Sequence, residues 1–428
     1  MSEIAMKQAV FVLALAISPV ATAASGGVPE RSIVAVPVAS SEYIVGGPEK
    51  ILMVGSEAGF EDWVRGFRKR ALARGIVPGV FDAAFSGVRY DSSIIEKDRN
   101  QSEFVKPIWE YLDKAVSDKR VENGRKALRH YRKLLDQIEA RYAVDKEIVV
   151  AIWGLESSFG ENRGDLALIQ SLATLAYDGR RGAFFEQQLF AALQIVQGGN
   201  VAPQNMTGSW AGAMGHTQFI PTSYLAFAVD YDGDGRRDIW SDDPSDALAS
   251  TAAYLAKSGW RLHQPWGLEV QLPDDFDYGL TGDRVVKSAS EWAALGIRDM
   301  KGRKVPNHGS ASLLLPAGAR GAAFLVFPNF KSIEHYNAAD AYVIAVGHLS
   351  DRLKGGEPIQ SNWPRNDRSL QFSERVELQE RLTAAGFDTG GTDGKVGPKT
   401  IAAVKAFQRS IGMVQDGYAS LDILIKLR

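Results

Sequence analysis

The chain contains no cysteine, which excludes disulfides, thiolate metal sites, thiol nucleophiles and a lipid-bearing N-terminal cysteine. It also lacks any imbalance of charge. Its 49 Lys and Arg against 51 Asp and Glu leave a formal net charge of −2, so nothing advertises a grip on nucleic acid or anionic lipid. The apolar run near the N-terminus, residues 9–17, falls short of the about 20 residues that a bilayer-spanning helix needs. It follows Lys7, is broken by Pro19 and precedes Ala21-Thr22-Ala23, the small-x-small pattern of a signal-peptidase site. Residues 1–23 are therefore read as a signal peptide, with Ala24 as the first mature residue. The mature chain is expected to be exported and soluble, with no transmembrane anchor.

What is present fits folded domains. At 428 residues the chain is too long for one ordinary core, so two or more domains are expected. A hydrophobic share of 45% and a charged share of 23% lie far from the composition of disorder. The 9 Trp and 19 Phe serve a large core before they serve a sugar-binding groove. Residues 24–55, rich in Gly, Pro, Ser and Val, read as a flexible tether. From Phe60 onward Phe60, Trp63, Val64, Phe67 and Ala71 recur at helical spacing, with Arg65, Arg68, Lys69 and Arg70 on the solvated face. Helical patterning continues over 103–117, 121–142, 146–157, 184–197 and 244–258, and closes with a long helix over 338–353. Between 266 and 327, short apolar runs at 268–272, 313–315 and 322–327 are bounded by Gly and Pro and predict a small β-region. The expected fold is α+β, mainly α. Its catalytic domain spans 56–355, a linker covers 356–368 around Gly355-Gly356 and Trp363-Pro364, and a compact module follows over 369–428.

Within the run 144–160, Asp145 has the type and place of an N-cap, and Val149, Ile152 and Trp153 precede Glu156 by seven, four and three residues. The one acid of the last two turns thus shares a stripe with large apolar side chains. Holding a carboxyl among such groups favours its neutral form and raises its pKa, as a general acid at neutral pH requires. Taken alone, an acid at a helix end is more often solvated or salt-bridged.

The neighbouring blocks reverse that balance. Gly154-Leu155-Glu156-Ser157-Ser158-Phe159-Gly160 resembles the Glu-Ser motif of lytic transglycosylases, whose catalytic domain is lysozyme-like. Further blocks are similar to the B-type family of lytic murein transglycosylases: Asp178-Gly179-Arg180-Arg181 before Phe184-Phe185, Gly208-Ser209-Trp210-Ala211-Gly212-Ala213-Met214-Gly215 before Thr217-Gln218-Phe219-Ile220-Pro221, and Tyr336-Asn337 with Tyr342. The resemblance runs in order from about residue 60 to 353. It implies Glu156 as acid–base, Arg180 and Arg181 on the glycan or its peptide stem, and Ser209 and Gln218 lining the cleft at the scissile bond. Asn337, with Tyr336 and Tyr342, would flank Glu156. Tyr111 and Tyr254 fit equally well as core residues. The substrate implied is the peptidoglycan glycan strand of a periplasm, with other cell-wall enzymes as further partners. The reaction implied is cleavage between N-acetylmuramic acid and N-acetylglucosamine without water, leaving a 1,6-anhydro end. No second carboxylate stands out to complete the pair that glycosidases ordinarily use. A hydrolytic muramidase, a non-catalytic wall-binding scaffold and a calcium-switched helical regulator remain the alternatives.

Asp230-Tyr231-Asp232-Gly233-Asp234-Gly235-Arg236 reads as the start of an EF-hand-like loop, with Arg236 offering its backbone carbonyl. Ser241 replaces the bidentate Glu at position twelve, so Asp242, Asp243 or Asp246 must close the site. Asp246 matches best the later carboxylate of the family, which implies a structural Ca²⁺ here. The other reading is an Asp/Gly turn without metal, and no organic cofactor is expected. Residues 369–428 predict three short helices and resemble the small peptidoglycan-binding domain of cell-wall enzymes. Ile401, Val404, Phe407 and Ile411 are expected as its core, and the module is expected to raise local substrate concentration.

Overall fold

A computed structural model describes residues 57–99 and 106–428. The predicted signal peptide and tether lie outside the described residues. The rest is mainly helical with a small antiparallel β-region, as expected.

The helix Lys146–Ser157 is the axis of the catalytic domain: every residue from Ile148 to Leu155 is buried. Around it pack the helices Asp118–His130, Ser245–Lys257 and Asp340–Leu353. Asp145 begins this helix without capping it. Its carboxylate is buried and accepts hydrogen bonds from Trp260 Nε1 (3.0 Å), the His263 amide (3.1 Å) and Lys354 Nζ (3.0 Å). The N-terminal amide of Lys146 is satisfied by Glu139 Oε2 instead, at 2.8 Å. Asp145 therefore ties the start of the helix to the far end of the domain, a tertiary task that its N-cap position does not reveal.

The run predicted over 121–142 is two helices, Asp118–His130 and Arg132–Tyr142. At the break between them, Tyr131 packs edge-on against Trp153, with ring centroids 5.5 Å apart. The helix Leu168–Asp178 was not expected: eight of its eleven residues are buried, Ser171 and Thr174 among them, and Gln170, Tyr177 and Asp178 on one face are half-buried. The helix expected over 103–117 is Ile108–Ala115, with Pro107 immediately before it.

Strands β1 (Leu166–Ala167) and β2 (Thr207–Gly208) pair antiparallel beside the end of the axial helix. The predicted β-region is a four-stranded antiparallel sheet of β3 (Gly267–Gln271), β4 (Arg298–Asp299), β5 (Ser312–Leu314) and β6 (Ala323–Val326), in the order β4-β3-β6-β5. Its own core gathers Val270, Trp292, Ile297, Leu313 and Leu325.

The C-terminal module has the three helices expected, Phe372–Ala384, Pro398–Ser410 and Leu421–Leu427, around Leu378, Leu382, Val404, Phe407 and Leu424. Ile401 and Ile411 correct the expectation: both are exposed, because three short helices enclose only one narrow core. The linker is also fastened rather than loose. Gln360 and Ser361 donate their amides to Glu269, and Arg365 forms a two-pronged ion pair with Asp113. The module itself docks on the β-region. Lys405 Nζ donates to Tyr278 O (3.0 Å) and Thr281 Oγ1 (2.7 Å), and Asp416 Oδ2 accepts from the Ala319 amide (2.9 Å).

Gly347, on the helix Asp340–Leu353, lies flat against Trp266: an added Cβ would come within 2.3 Å of the indole. Phe324 and Phe330 flank the same ring. Gly347→Ala is therefore expected to lower stability by about 1–3 kcal/mol through overpacking, measured as a fall in thermal or denaturant midpoint.

Candidate active site

Glu156 occupies the last turn of the axial helix, and the chain then turns sharply. Ser158, Phe159 and Gly160 have φ of +54°, +64° and +90° in succession. Two non-glycine residues in the left-handed region are costly and need support from outside. Gly154 supplies room, since a Cβ there would meet the Phe159 ring at 2.6 Å. Ser157 Oγ donates to His216 O (2.5 Å) and accepts from the Gly160 amide (2.9 Å). Gly164, at φ +85°, lies so close to β2 that a Cβ would fall 2.2 Å from the Gly208 carbonyl carbon. Glycines in these motifs thus permit two backbone segments, 158–165 and 207–219, to close against each other beside Glu156.

The Glu156 carboxyl is half-buried and faces phenols. Tyr342 Oη donates to Glu156 Oε1 at 2.6 Å. Tyr336 is buried alongside and donates its hydroxyl to Thr217 O at 2.5 Å. Both phenols interact electrostatically with Glu156, and Tyr111 interacts with Tyr342. Burial pushes the Glu156 carboxyl up to about 8, against the opposing hydrogen bond from Tyr342. Among the described residues, no second carboxylate contributes to its titration. Both tyrosines are held well above their ordinary values by burial and by Glu156, so they stay neutral donors. The arrangement suits a carboxylic acid that keeps its proton at neutral pH.

The other predicted residues divide into groups. Ser209 is buried, and its Oγ accepts from the Ala213 amide at 3.1 Å, shaping the turn after β2. Gln218, itself at φ +54°, directs Nε2 to Arg163 O (3.0 Å) and Gly215 O (2.8 Å), bridging the two closed segments. Asn337 follows the helix Pro328–Tyr336, and its Oδ1 accepts from the Ala339 amide at 3.1 Å. Tyr254 stacks on Phe227 with centroids 4.1 Å apart and donates to His335 O at 2.6 Å, which makes it wall material behind Tyr336.

Arg180 and Arg181 converge on a carboxylate that the sequence reading passed over. Asp98, only 2% exposed, takes Arg180 Nε at 2.8 Å and Arg181 Nη2 at 2.6 Å. A signal for it was present: Asp98 stands four residues after Ile94 and three after Ile95, on their buried face. His216 and Arg163 were also missed. His216 lay inside the Gly215–Gln218 block, but its contacts reach into residues 153–160 and 239–241, which no local pattern reports. A separate hollow of about 260 Å³, between β3, the helix Asp340–Leu353 and residues 356–360, contains none of the predicted cleft residues.

In the acidic loop, carboxylate oxygens of Asp230, Asp232 and Asp234 lie within 4.8 Å of one another. Gly233 and Gly235, at φ +82° and +88°, let the chain wrap around that point. Asp246 is placed differently from the closing ligand expected: it lies outside that trio. It is buried, and its two oxygens accept the amides of Tyr231 and Asp238, both at 2.7 Å, so it fastens both ends of the loop. Its carboxyl is raised by burial.

A single acid of raised pKa at the end of a buried helix, faced by phenols and set near a short two-stranded ladder, fits a glycan-cleaving enzyme of the lysozyme-like class. The comparisons carry this further. Residues 59–351 match the transglycosylase SLT domain family and residues 373–427 the peptidoglycan binding domain family; the chain belongs to the lytic transglycosylase family. It is 33% identical over 250 residues to the membrane-bound lytic murein transglycosylase B of Escherichia coli (strain K12), covering 57% of this chain and 66% of that relative. SltB3 from Pseudomonas aeruginosa in complex with NAG-NAM-pentapeptide superposes with a TM-score of 0.84 at 50% identity, covering 86% of this chain and 99% of that one. The Escherichia coli lytic transglycosylase Slt35 in complex with calcium gives 0.57 at 29% identity, covering 68% and 92%.

Because the hydrogen bond from Tyr342 favours the ionised carboxylate, Tyr342→Phe should raise the Glu156 pKa beyond about 8. An activity that uses the protonated Glu156 carboxyl is present below that pKa and lost as pH rises through it. In the variant the alkaline limb of the rate profile should therefore move to higher pH while kcat falls about tenfold from lost orientation, measured on soluble glycan fragments.

Proposed function

We propose that Glu156 is the one acid–base of a lytic transglycosylase acting on peptidoglycan. The reading rests above all on the raised Glu156 carboxyl held through Oε1 by Tyr342, with no second carboxylate beside it among the described residues. With Oε1 occupied as an acceptor, the proton belongs on Oε2. From there it passes to the glycosidic oxygen between N-acetylmuramic acid and N-acetylglucosamine as the bond from C1 to that oxygen breaks. The 2-acetamido group of the sugar stabilises the positive centre at C1. The Glu156 carboxylate then takes the proton of the muramoyl C6 hydroxyl while O6 bonds to C1, which closes the 1,6-anhydro ring and restores the acid. No water enters the balance. The Pseudomonas aeruginosa relative SltB3 has also been solved in complex with NAG-anhNAM-pentapeptide, a fragment carrying that ring.

In this reading Ser209 and Gln218 line the cleft at the scissile bond, and Asn337, Tyr336 and Tyr342 surround the acid. Arg180 and Arg181, each partly exposed beyond their ion pair with Asp98, face the glycan or its peptide stem. The C-terminal module holds the wall polymer at a set distance from the cleft, because it is docked on the β-region. A leader over residues 1–23 exports the chain to the periplasm, and among the described residues no helix is long and apolar enough to cross a membrane.

Digestion of purified sacculi tests the reaction. Glu156→Gln should fold and release nothing, while the unaltered enzyme should release muropeptides one water lighter than those from a hydrolase. Reducing ends in place of anhydro ends would make the enzyme a muramidase, and retained turnover in Glu156→Gln would remove Glu156 from the mechanism.

The acidic loop fits a hard cation through Asp230, Asp232 and Asp234, with the Arg236 carbonyl as a further donor by its place in the loop, while Asp246 holds the two ends of the loop together. Bound Ca²⁺ would supply rigidity to the loop, and proton transfer would stay with Glu156. About 1 mM Ca²⁺ should raise the melting temperature by several degrees, and Asp232→Asn should remove that response. An absent calcium response in the unaltered chain would leave the loop a metal-free Asp/Gly turn.

A further inference from the structure

The left-handed turn after Glu156 is held largely from one residue. His216 receives the Trp153 Nε1 proton on Nδ1 at 3.1 Å, and its Nε2 lies 2.7 Å from Ser241 O. Its carbonyl takes the Ser157 hydroxyl, its amide donates to Ile239 O at 3.1 Å, and its ring fills the space that a Cβ on Gly160 would need, 2.6 Å from Nδ1. An indole N–H only donates and a carbonyl only accepts, so the 2.7 Å contact to Ser241 O, much shorter than the 3.4 Å approach of Arg163 Nη1 to the same nitrogen, places the imidazole proton on Nε2 and leaves Nδ1 bare. Arg163, Asp242 and Asp238 are the charged groups around the ring. Arg163 grips the same stretch, donating Nη1 to Trp240 O (3.0 Å) and Ser241 O (2.5 Å). Its own carbonyl receives Gln218 Nε2. Trp153 and Ser157 stand three residues before and one after Glu156, so the two side chains that fix the last turn both end on His216.

We propose that His216 is the positioning residue for Glu156: with its proton on Nε2 it binds the last turn of the axial helix to residues 239–241, and this closure keeps water from the acid. The inference rests on Glu156 being the acid. The groups facing Glu156 are the phenols Tyr342 and Tyr336, with Tyr111 behind Tyr342, and both facing phenols stay uncharged through the working pH range. A displaced Glu156 titration therefore reports on how dry the carboxyl is. When the last turn loosens and water enters, the Glu156 pKa falls toward the ordinary carboxylate range. The acid is then lost at lower pH.

The test compares kcat, KM and melting temperature of the full chain with those of His216→Phe, His216→Asn and Trp153→Phe on soluble glycan fragments between about pH 5 and 9. Phe removes both polar contacts of the ring, whereas the Asn oxygen can still accept from Trp153. For His216→Phe the expectation is a fall in kcat of about tenfold, KM within about twofold, and an alkaline limb lower by about one pH unit. His216→Asn should recover part of the limb position, and it carries the test if the Phe variant does not fold. Trp153→Phe should shift the limb likewise, and combining it with His216→Phe should add little, as for two ends of one contact. A limb unmoved in folded variants, or a rate loss that only follows the melted fraction, overturns the role of His216. Failure of the underlying reading looks different, since Glu156→Gln would then remain active whatever His216 does.

Discussion

A carboxyl group whose charged form burial disfavours, at the end of a buried helix, is the constraint around which this molecule is organised. Burial of the Glu156 carboxyl disfavours its charged form, and the surrounding structure must resist the tendency of water or a cation to reach it. The axial helix is accordingly buried from Ile148 to Leu155, and the groups nearest the acid are phenols rather than charges. Phenols can hold a carboxyl oxygen in place while remaining neutral. A lysine or arginine there would have drawn the acid into its ionised form.

The sharp turn that follows solves a second problem. A helix that simply ran on would bury Glu156 altogether, and a flexible exit would open it to water. Residues 158–160 leave the helix through three consecutive left-handed conformations, and close approaches at Gly154, Gly160 and Gly164 let neighbouring segments clamp them. The short β1–β2 ladder and the bridging Gln218 amide complete that clamp. Strain in the exit is thus matched by contacts from segments more than fifty residues away.

Beyond the site, charge pairs act as long-range fasteners. Asp145 joins the helix start to Lys354 and residues 260–263, Asp98 collects Arg180 and Arg181, and Glu269 and Asp113 tie down the linker. The C-terminal module is consequently an oriented part of the enzyme. Its contribution to substrate binding comes with a direction as well as a local concentration.

Much of this was legible in residue order. Glu156 lay on an apolar stripe, but the motif around it, like those that hold Tyr342, Ser209 and Gln218, singled it out by its resemblance to a known family. The β-region and the three-helix module followed from alternation, helical spacing and Gly/Pro boundaries, which are local properties of the chain. The helix Leu168–Asp178 was not read from the sequence, and its buried Ser171 and Thr174 show that polar residues there serve the interior. What the chain by itself determined was therefore the chemistry available: one acid on an apolar stripe, hydroxyl donors, an acidic loop and no thiol. Tertiary structure alone decided the partners, such as Asp98 for the two arginines, His216 for Trp153 and Ser157, and backbone amides for both oxygens of Asp246. Those pairings join residues far apart in sequence, and no local spacing encodes which buried donor will meet which acceptor once the core closes.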